Sequence, residues 1–186
     1  YNTAVGYQAL KSGQTYTAGA FTVGVTFVIA TVGTTDFTAI GASANEVGVS
    51  FVSTGLGSGN GTATSRNTGG SNTAVGKGSL DANTTGGFNT AIGIDALGAN
   101  TTASHNIAVG RNALNINTTG TQNVSVGGES LSLNTTGGYN TALGNNSLQA
   151  NSTASNNTAV GYYALKVNDT GGYNTAVGAY ALDANT

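Results

Sequence analysis

Apolar residues recur along this chain in one fixed arrangement: a small residue followed by a branched aliphatic one, then a small residue followed by leucine. Ala74-Val75 with Ser79-Leu80 gives way to Ala91-Ile92 with Ala96-Leu97, and the series runs on to Ala176-Val177 with Ala181-Leu182. The distance from one set to the next is 17 residues. Polar residues keep the same period. Asparagine opens each unit at Asn72, Asn89, Asn106, Asn123, Asn140, Asn157 and Asn174, and Asn2 opens a further copy ahead of a long interruption. With that asparagine as position 1, position 5 is glycine in all eight copies, Gly6, Gly76, Gly93 and Gly110 through Gly178. Position 9 is leucine throughout: Leu10, Leu80, Leu97, Leu114, Leu131, Leu148, Leu165 and Leu182. Position 12 is asparagine in the seven regular copies, from Asn83 to Asn185.

A fixed, short period means one structural unit stacked on itself. Seventeen residues are too few for a helical repeat, in which a pair of helices needs about 34. Gly, Asn and Thr in every unit are also poor helix formers. The runs T-A-V and x-A-L predict short strands, and the Gly and Asn at their ends predict turns. The expected fold class is therefore all-β: a parallel β-solenoid, or β-roll, with one unit per coil and about 4.8 Å between coils. The stacked asparagines are expected to hydrogen-bond amide to amide, and the Leu and Val columns to exclude water. Neighbours in a strand face opposite ways. Large residues are thus expected on one side of the coil and the small Ala and Ser columns on the other. Apolar residues on both sides imply that both are covered, and the small columns suit close approach by further copies, most simply in a homotrimer.

Between Asn2 and Asn72 the period is interrupted by an excess of residues, 12–64, which divides the chain into a partial first coil (1–11), an inserted small β-rich module (12–64) and the main solenoid (65–186). Four of the five phenylalanines lie in the insert: Phe21, Phe27, Phe37 and Phe51. Its longer runs, Val25–Thr31, Asp36–Ile40 and Val47–Val52, read as β structure separated by turns. Insertions in repeat proteins emerge on one face, often the binding face. The four phenylalanines are accordingly candidate partner contacts, against the alternative of a plain spacing knob.

Only 12 of the 186 residues are charged, with a net charge of −2 and five dispersed basic residues, which gives no field for nucleic acid. The chain has no Cys, and no run of about 18 apolar residues that would insert in a membrane. The single histidine, His105, would need Asp81 or Asp95 beside it for hydrolytic chemistry. The acids are scattered and form no column, so neither a carboxylate dyad nor a calcium ladder is expected. The segment Gly55 to Gly61 lacks the Lys-Ser/Thr of a phosphate loop. The expectation is a non-enzymatic protein with no catalytic, metal or cofactor residues. Tyr1 falls at position 17 and Thr186 at position 13, so the chain opens and closes inside the repeat. That predicts continuation, within a longer polypeptide or by head-to-tail stacking.

At Asn72–Gly76 and Asn89–Gly93 the unit resembles the head repeat of trimeric autotransporter adhesins of the YadA type. With its N-T-T-G half, it looks closer to repeats of bacteriophage tail fibres, especially those of cyanobacterial viruses. The stretch Val32 to Gly41 is similar to a module of such phage structural proteins. The resemblance implies a left-handed β-roll trimer, extracellular, on a cell surface or virion-borne, used for reach and attachment. The adhesin unit is usually shorter, and no stalk or anchor is present here. Two other functions compete with a structural fibre segment. One is a module binding a cell-surface glycan or receptor through the insert, or through the aromatic rim Tyr1, Phe88, Tyr139 and Tyr173. The other is an ice-binding solenoid using the threonine column Thr85, Thr102, Thr119, Thr136, Thr153 and Thr170. Adjacent threonines such as Thr84 and Thr85 face opposite ways, however, and position 2 breaks at Ile107 and Val124.

Overall fold

The computed structural model describes residues 2–6, 15–17, 26–31, 33, 35, 37–40, 42, 50–52, 62–65 and 69–184. The chain divides into two units, Tyr1–Lys11 with Gly69–Thr186, and Ser12–Thr68.

The first unit is a parallel β-solenoid. Its strands are β1 (Asn2–Val5) and, after the second unit, β6 (Asn72–Val75), β7 (Thr90–Ile92), β8 (Ile107–Val109), β9 (Val124–Val126), β10 (Thr141–Leu143), β11 (Thr158–Val160) and β12 (Thr175–Val177). They form one eight-stranded sheet in that order. Every pair is parallel and in the repeat's own register: Asn2 lies beside Asn72, Ala74 beside Ala91, Ala142 beside Ala159. The chain therefore makes one lap per unit, and β1 resumes at β6 across the whole interruption.

Only the T-A-V half of each unit is a strand. The x-A-L half, expected to be a second strand, is a pair of turns. In one coil the Ala96 N–H donates to the Gly93 carbonyl and the Asn100 N–H to the Leu97 carbonyl, both across three residues. The cause lies in the backbone. Positions 7 and 9 both take left-handed conformations, as at Asp95 (φ 54) and Leu97 (φ 50), or Glu129 (φ 58) and Leu131 (φ 48). Left-handed residues break the alternation of a strand, so positions 8 and 9 both point inward. A non-glycine residue in this region costs about 1–2 kcal/mol, and burying a leucine returns roughly 1.5–3 kcal/mol. The burial is complete at Leu80, Leu97, Leu114, Leu131, Leu148 and Leu165, so the strained leucine is a net gain.

This geometry corrects the expected division of faces. The small residues are the interior: Ala74, Ala91, Ala108, Ala142 and Ala159 of position 3 and Ala96, Ala113 and Ala164 of position 8 pack with the leucines in one fully buried core. The aliphatic column of position 4 points out, with Ile92, Val126 and Leu143 between 37% and 39% exposed. Leucine seals the coil with alanine, not with valine, and the small columns offer no outer surface.

Position 5 needs glycine twice over. Gly93 has φ +135, and a Cβ there would stand 2.5 Å from the Gly110 carbonyl oxygen of the next coil. The same close approach repeats at Gly76, Gly110, Gly127, Gly144 and Gly161.

In the second unit β2 (Thr15–Thr17), β3 (Thr26–Thr31), β4 (Ser50–Val52) and β5 (Thr62–Ser65) form an antiparallel sheet in the order β2-β5-β3-β4. The unit reaches Thr68, where the period places its limit at Thr64; β5, paired with β2 and β3, crosses that limit at Ser65. Within the run Asp36–Ile40, read as β structure, Thr38–Ile40 is a short 3-10 turn.

Candidate interaction surfaces

The invariant residues are spent on the interior. From Asn72 to Asn140, each position-1 asparagine uses both ends of its side chain on main chain. The Asn72 Oδ1 accepts the Asn89 N–H at 2.9 Å, and its Nδ2 donates to the Gly86 carbonyl at 2.9 Å. The pattern repeats at Asn89, Asn106, Asn123 and Asn140. Amide-to-amide bonding, expected of this column, occurs in it between the Asn157 Nδ2 and the Asn140 Oδ1 at 3.3 Å, but the repeated ladder belongs to position 12. There the Asn100 Nδ2 donates to the Asn83 Oδ1 at 2.9 Å and the Asn134 Nδ2 to the Asn117 Oδ1 at 2.8 Å, with Asn151 and Asn168 continuing the series. Position 1 stitches one coil's backbone to the next because its N–H sits where the strand begins, directly over the amide oxygen below.

Positions 2, 4, 14 and 17 are among the columns that face outward along the solenoid. Positions 2 and 4 share the outer face of the sheet, which carries Thr, Ile or Val at position 2 and Val, Ile or Leu at position 4. Position 14 is an exposed threonine from Thr85 to Thr170. Its neighbour at position 13 is half-buried, and the Thr84, Thr118 and Thr135 hydroxyls donate to the next coil's carbonyl at 3.0–3.1 Å. Adjacent threonines do face different ways, and position 14 gives a single hydroxyl column. Position 17 carries Ser71, Phe88, His105, Gln122, Tyr139, Asn156 and Tyr173, all exposed and all with positive φ.

His105 is part of that edge. Its ring stacks on Phe88 at 5.0 Å and 11°. Among the described residues, no group of three or more His, Cys, Asp or Glu side chains could hold a metal. An ion pair on the described surface joins Arg111 to Glu129 at 2.6 Å.

A further aromatic group sits at positions 6 and 7 of the last coils, where the sequence gives no column of like residues. The Tyr163 and Tyr180 rings stack at 5.5 Å and 12°, Tyr162 meets both edge-on, and the Lys166 Nζ lies 4.5 Å from the Tyr163 ring centre. The hydrogen bond with Tyr163, then partial desolvation and the neighbouring phenols, push the Tyr162 pKa up to about 12. The signal for this cluster was the pair Tyr162-Tyr163 with Tyr180 one period later.

No family model, curated protein or solved structure matches this chain. Of the phenylalanines proposed as partner contacts, Phe37 is fully buried, Phe27 and Phe51 are paired across β3 and β4, and Phe21 lies outside the described residues. Tyr1 also lies outside them. Among the described residues no helix is long and apolar enough to cross a membrane.

Proposed function

We propose that this chain is a non-enzymatic structural segment of a fibre, of a phage tail or an extracellular surface appendage, that gives reach for attachment. The observation that carries this reading is the pair of buried asparagine columns. Hydrogen bonding that other proteins spend on ligands is here spent on joining identical coils. The sequence resemblance to phage fibres and trimeric adhesin heads supports the same reading. The surface that would assemble copies is not the alanine columns but the outer sheet face at positions 2 and 4. A continuous, half-exposed aliphatic column marks a contact site, and a homotrimer closes such faces around one axis.

Sedimentation velocity on the purified chain tests this. The expected result is a species several times the 18.2 kDa chain, returned to a monomer by Val126→Lys with Leu143→Lys, both at half-exposed outer positions. A wild-type chain that stays monomeric at all concentrations would remove the assembly reading.

A further inference from the structure

Position 17 differs from its outward neighbours in what it carries. Positions 4 and 14 hold one kind of side chain each, aliphatic or threonine. Position 17 holds aromatic rings, Phe88, Tyr139 and Tyr173, interleaved with the hydrogen-bonding groups of His105, Gln122 and Asn156. It holds no aliphatic, no carboxylate and no ammonium group.

The fold does not ask for those rings. Every residue of this column is in the left-handed region, with φ between 58 and 63. Asparagine suits that conformation better than an aromatic residue does, and Asn156 and Ser71 occupy it elsewhere in the same column. The rings gain little from burial, since Phe88 is 61%, Tyr139 58% and Tyr173 85% exposed. Their anchoring is nonetheless rigid. The Phe88, Tyr139 and Tyr173 N–H groups each donate to the preceding coil, to the Gly70, Thr121 and Ser155 carbonyls at 3.0–3.3 Å. A glycine pair precedes each ring (Gly86-Gly87, Gly137-Gly138, Gly171-Gly172), and also Ser71 (Gly69-Gly70), whereas Ala-Ser precedes His105 and Asn156. The chain approaching each ring is thus bare of side chains.

We propose that the position-17 edge is a binding rail for a neutral, extended glycan laid along the solenoid axis. The Tyr139 and Tyr173 faces take the apolar C–H faces of pyranose rings, the amides between them take hydroxyls, and Phe88, one face of which stacks on His105, offers its other face. The column offers no lysine or arginine to pair with a sulfated or acidic chain. The spacing favours an extended β-linked glycan over a helical one. Coils lie about 4.8 Å apart, nearly the advance of one pyranose in an extended β-1,4-linked chain. Tyr139 and Tyr173, two coils apart, would therefore meet alternate sugars. This inference goes beyond the structural role and does not depend on assembly.

Titration calorimetry of the whole chain with cellohexaose tests it, with saturation-transfer NMR reading which rings the sugar touches. Maltohexaose and a chondroitin sulfate hexasaccharide serve as the helical and the charged comparison. Cellohexaose should bind, more tightly than either, with transfer from tyrosine ring protons. The double variant Tyr139→Ala/Tyr173→Ala should weaken binding by roughly tenfold or more. Tyr162→Ala, on a different column, should leave it unchanged. Circular dichroism confirms that these surface variants keep the solenoid. The proposal is overturned by absence of binding up to the solubility limit of cellohexaose, by equal affinity of a folded double variant, or by preference for the sulfated chain.

Discussion

Asn123 and Asn134 stand in the same coil, are both fully buried, and donate to the same carbonyl, that of Gly137, at 2.8 and 2.9 Å. Their oxygens part company. The Asn123 Oδ1 accepts a main-chain N–H, that of Asn140, at 3.0 Å. The Asn134 Oδ1 accepts a side chain, the Asn151 Nδ2, at 2.9 Å. Two columns of one residue type, invariant over the same coils, thus carry different loads. The first fixes where each strand starts relative to its neighbour. The second fills the polar corner that the turns leave inside the coil, each amide supported by the one below. Sequence invariance is equal in the two, so it does not rank them. The partner of the oxygen does.

The most damaging way to break the first column leaves both asparagines in place. Gly127→Ala puts a Cβ 2.5 Å from the Gly144 carbonyl, at φ +136. The coils must separate where β9 and β10 pair, and the Asn123–Asn140 bond is lost with the register. Strain and overlap together should cost about 4 kcal/mol or more, read as a collapse of the denaturation midpoint. A Gly127→Ala chain within about 1 kcal/mol of wild type would show that the close approach is not a constraint.

Direct removal separates the columns. Asn123→Ala leaves the buried Asn140 N–H without an acceptor and should cost about 2–3 kcal/mol. Asn134→Ala takes a donor from the Asn117 Oδ1, while Asn151 keeps its bond to the Ala154 carbonyl at 2.9 Å. No main-chain amide is stranded, and the cost should be about 1–2 kcal/mol. Urea denaturation of the two variants decides the ranking, and the reverse order would mean that the amide ladder, not the strand register, holds the coils together.

How much of this the sequence disclosed depends on which neighbour a residue meets. The period gave the coil, its parallel register and the T-A-V strand, because identical residues stacked at a fixed interval leave little else to form. The direction of the strand's side chains was also legible, though not from valine. Position 2 is mostly threonine and shares a face with position 4, so Thr73 and Thr90 mark the outer side that Val75 and Ile92 join. The turns at positions 7 and 9 were hidden by Leu97 and its equivalents. Leucine carries no signature of a left-handed backbone, and only Gly78, Asp95, Asn112 and Asn146 at position 7 hinted at one. The outward edge at position 17 was named from its aromatics. What the sequence did not offer was its backbone, held open by the same bond in every coil. The bonding of the asparagines was out of reach for the same reason: which oxygen meets which donor is set by the turn geometry between them.

The threonines extend the comparison to its smallest effect. Thr135 and Thr136 are adjacent and chemically identical, yet the Thr135 hydroxyl donates to the Ser152 carbonyl at 3.0 Å while Thr136 is exposed. The Ser152 carbonyl also accepts the Thr135 and Thr136 N–H groups, at 2.8 and 3.3 Å. Losing the hydroxyl therefore leaves no acceptor bare, and valine keeps the shape. Thr135→Val should cost about 0.5–1 kcal/mol, and Thr136→Val should stay within about 0.5 kcal/mol of wild type. Equal losses at both sites would mean that the threonine columns act through β propensity alone. A loss at Thr135 only would place position 13 beside the asparagines, as a third seam whose strength lies in its partner rather than its name.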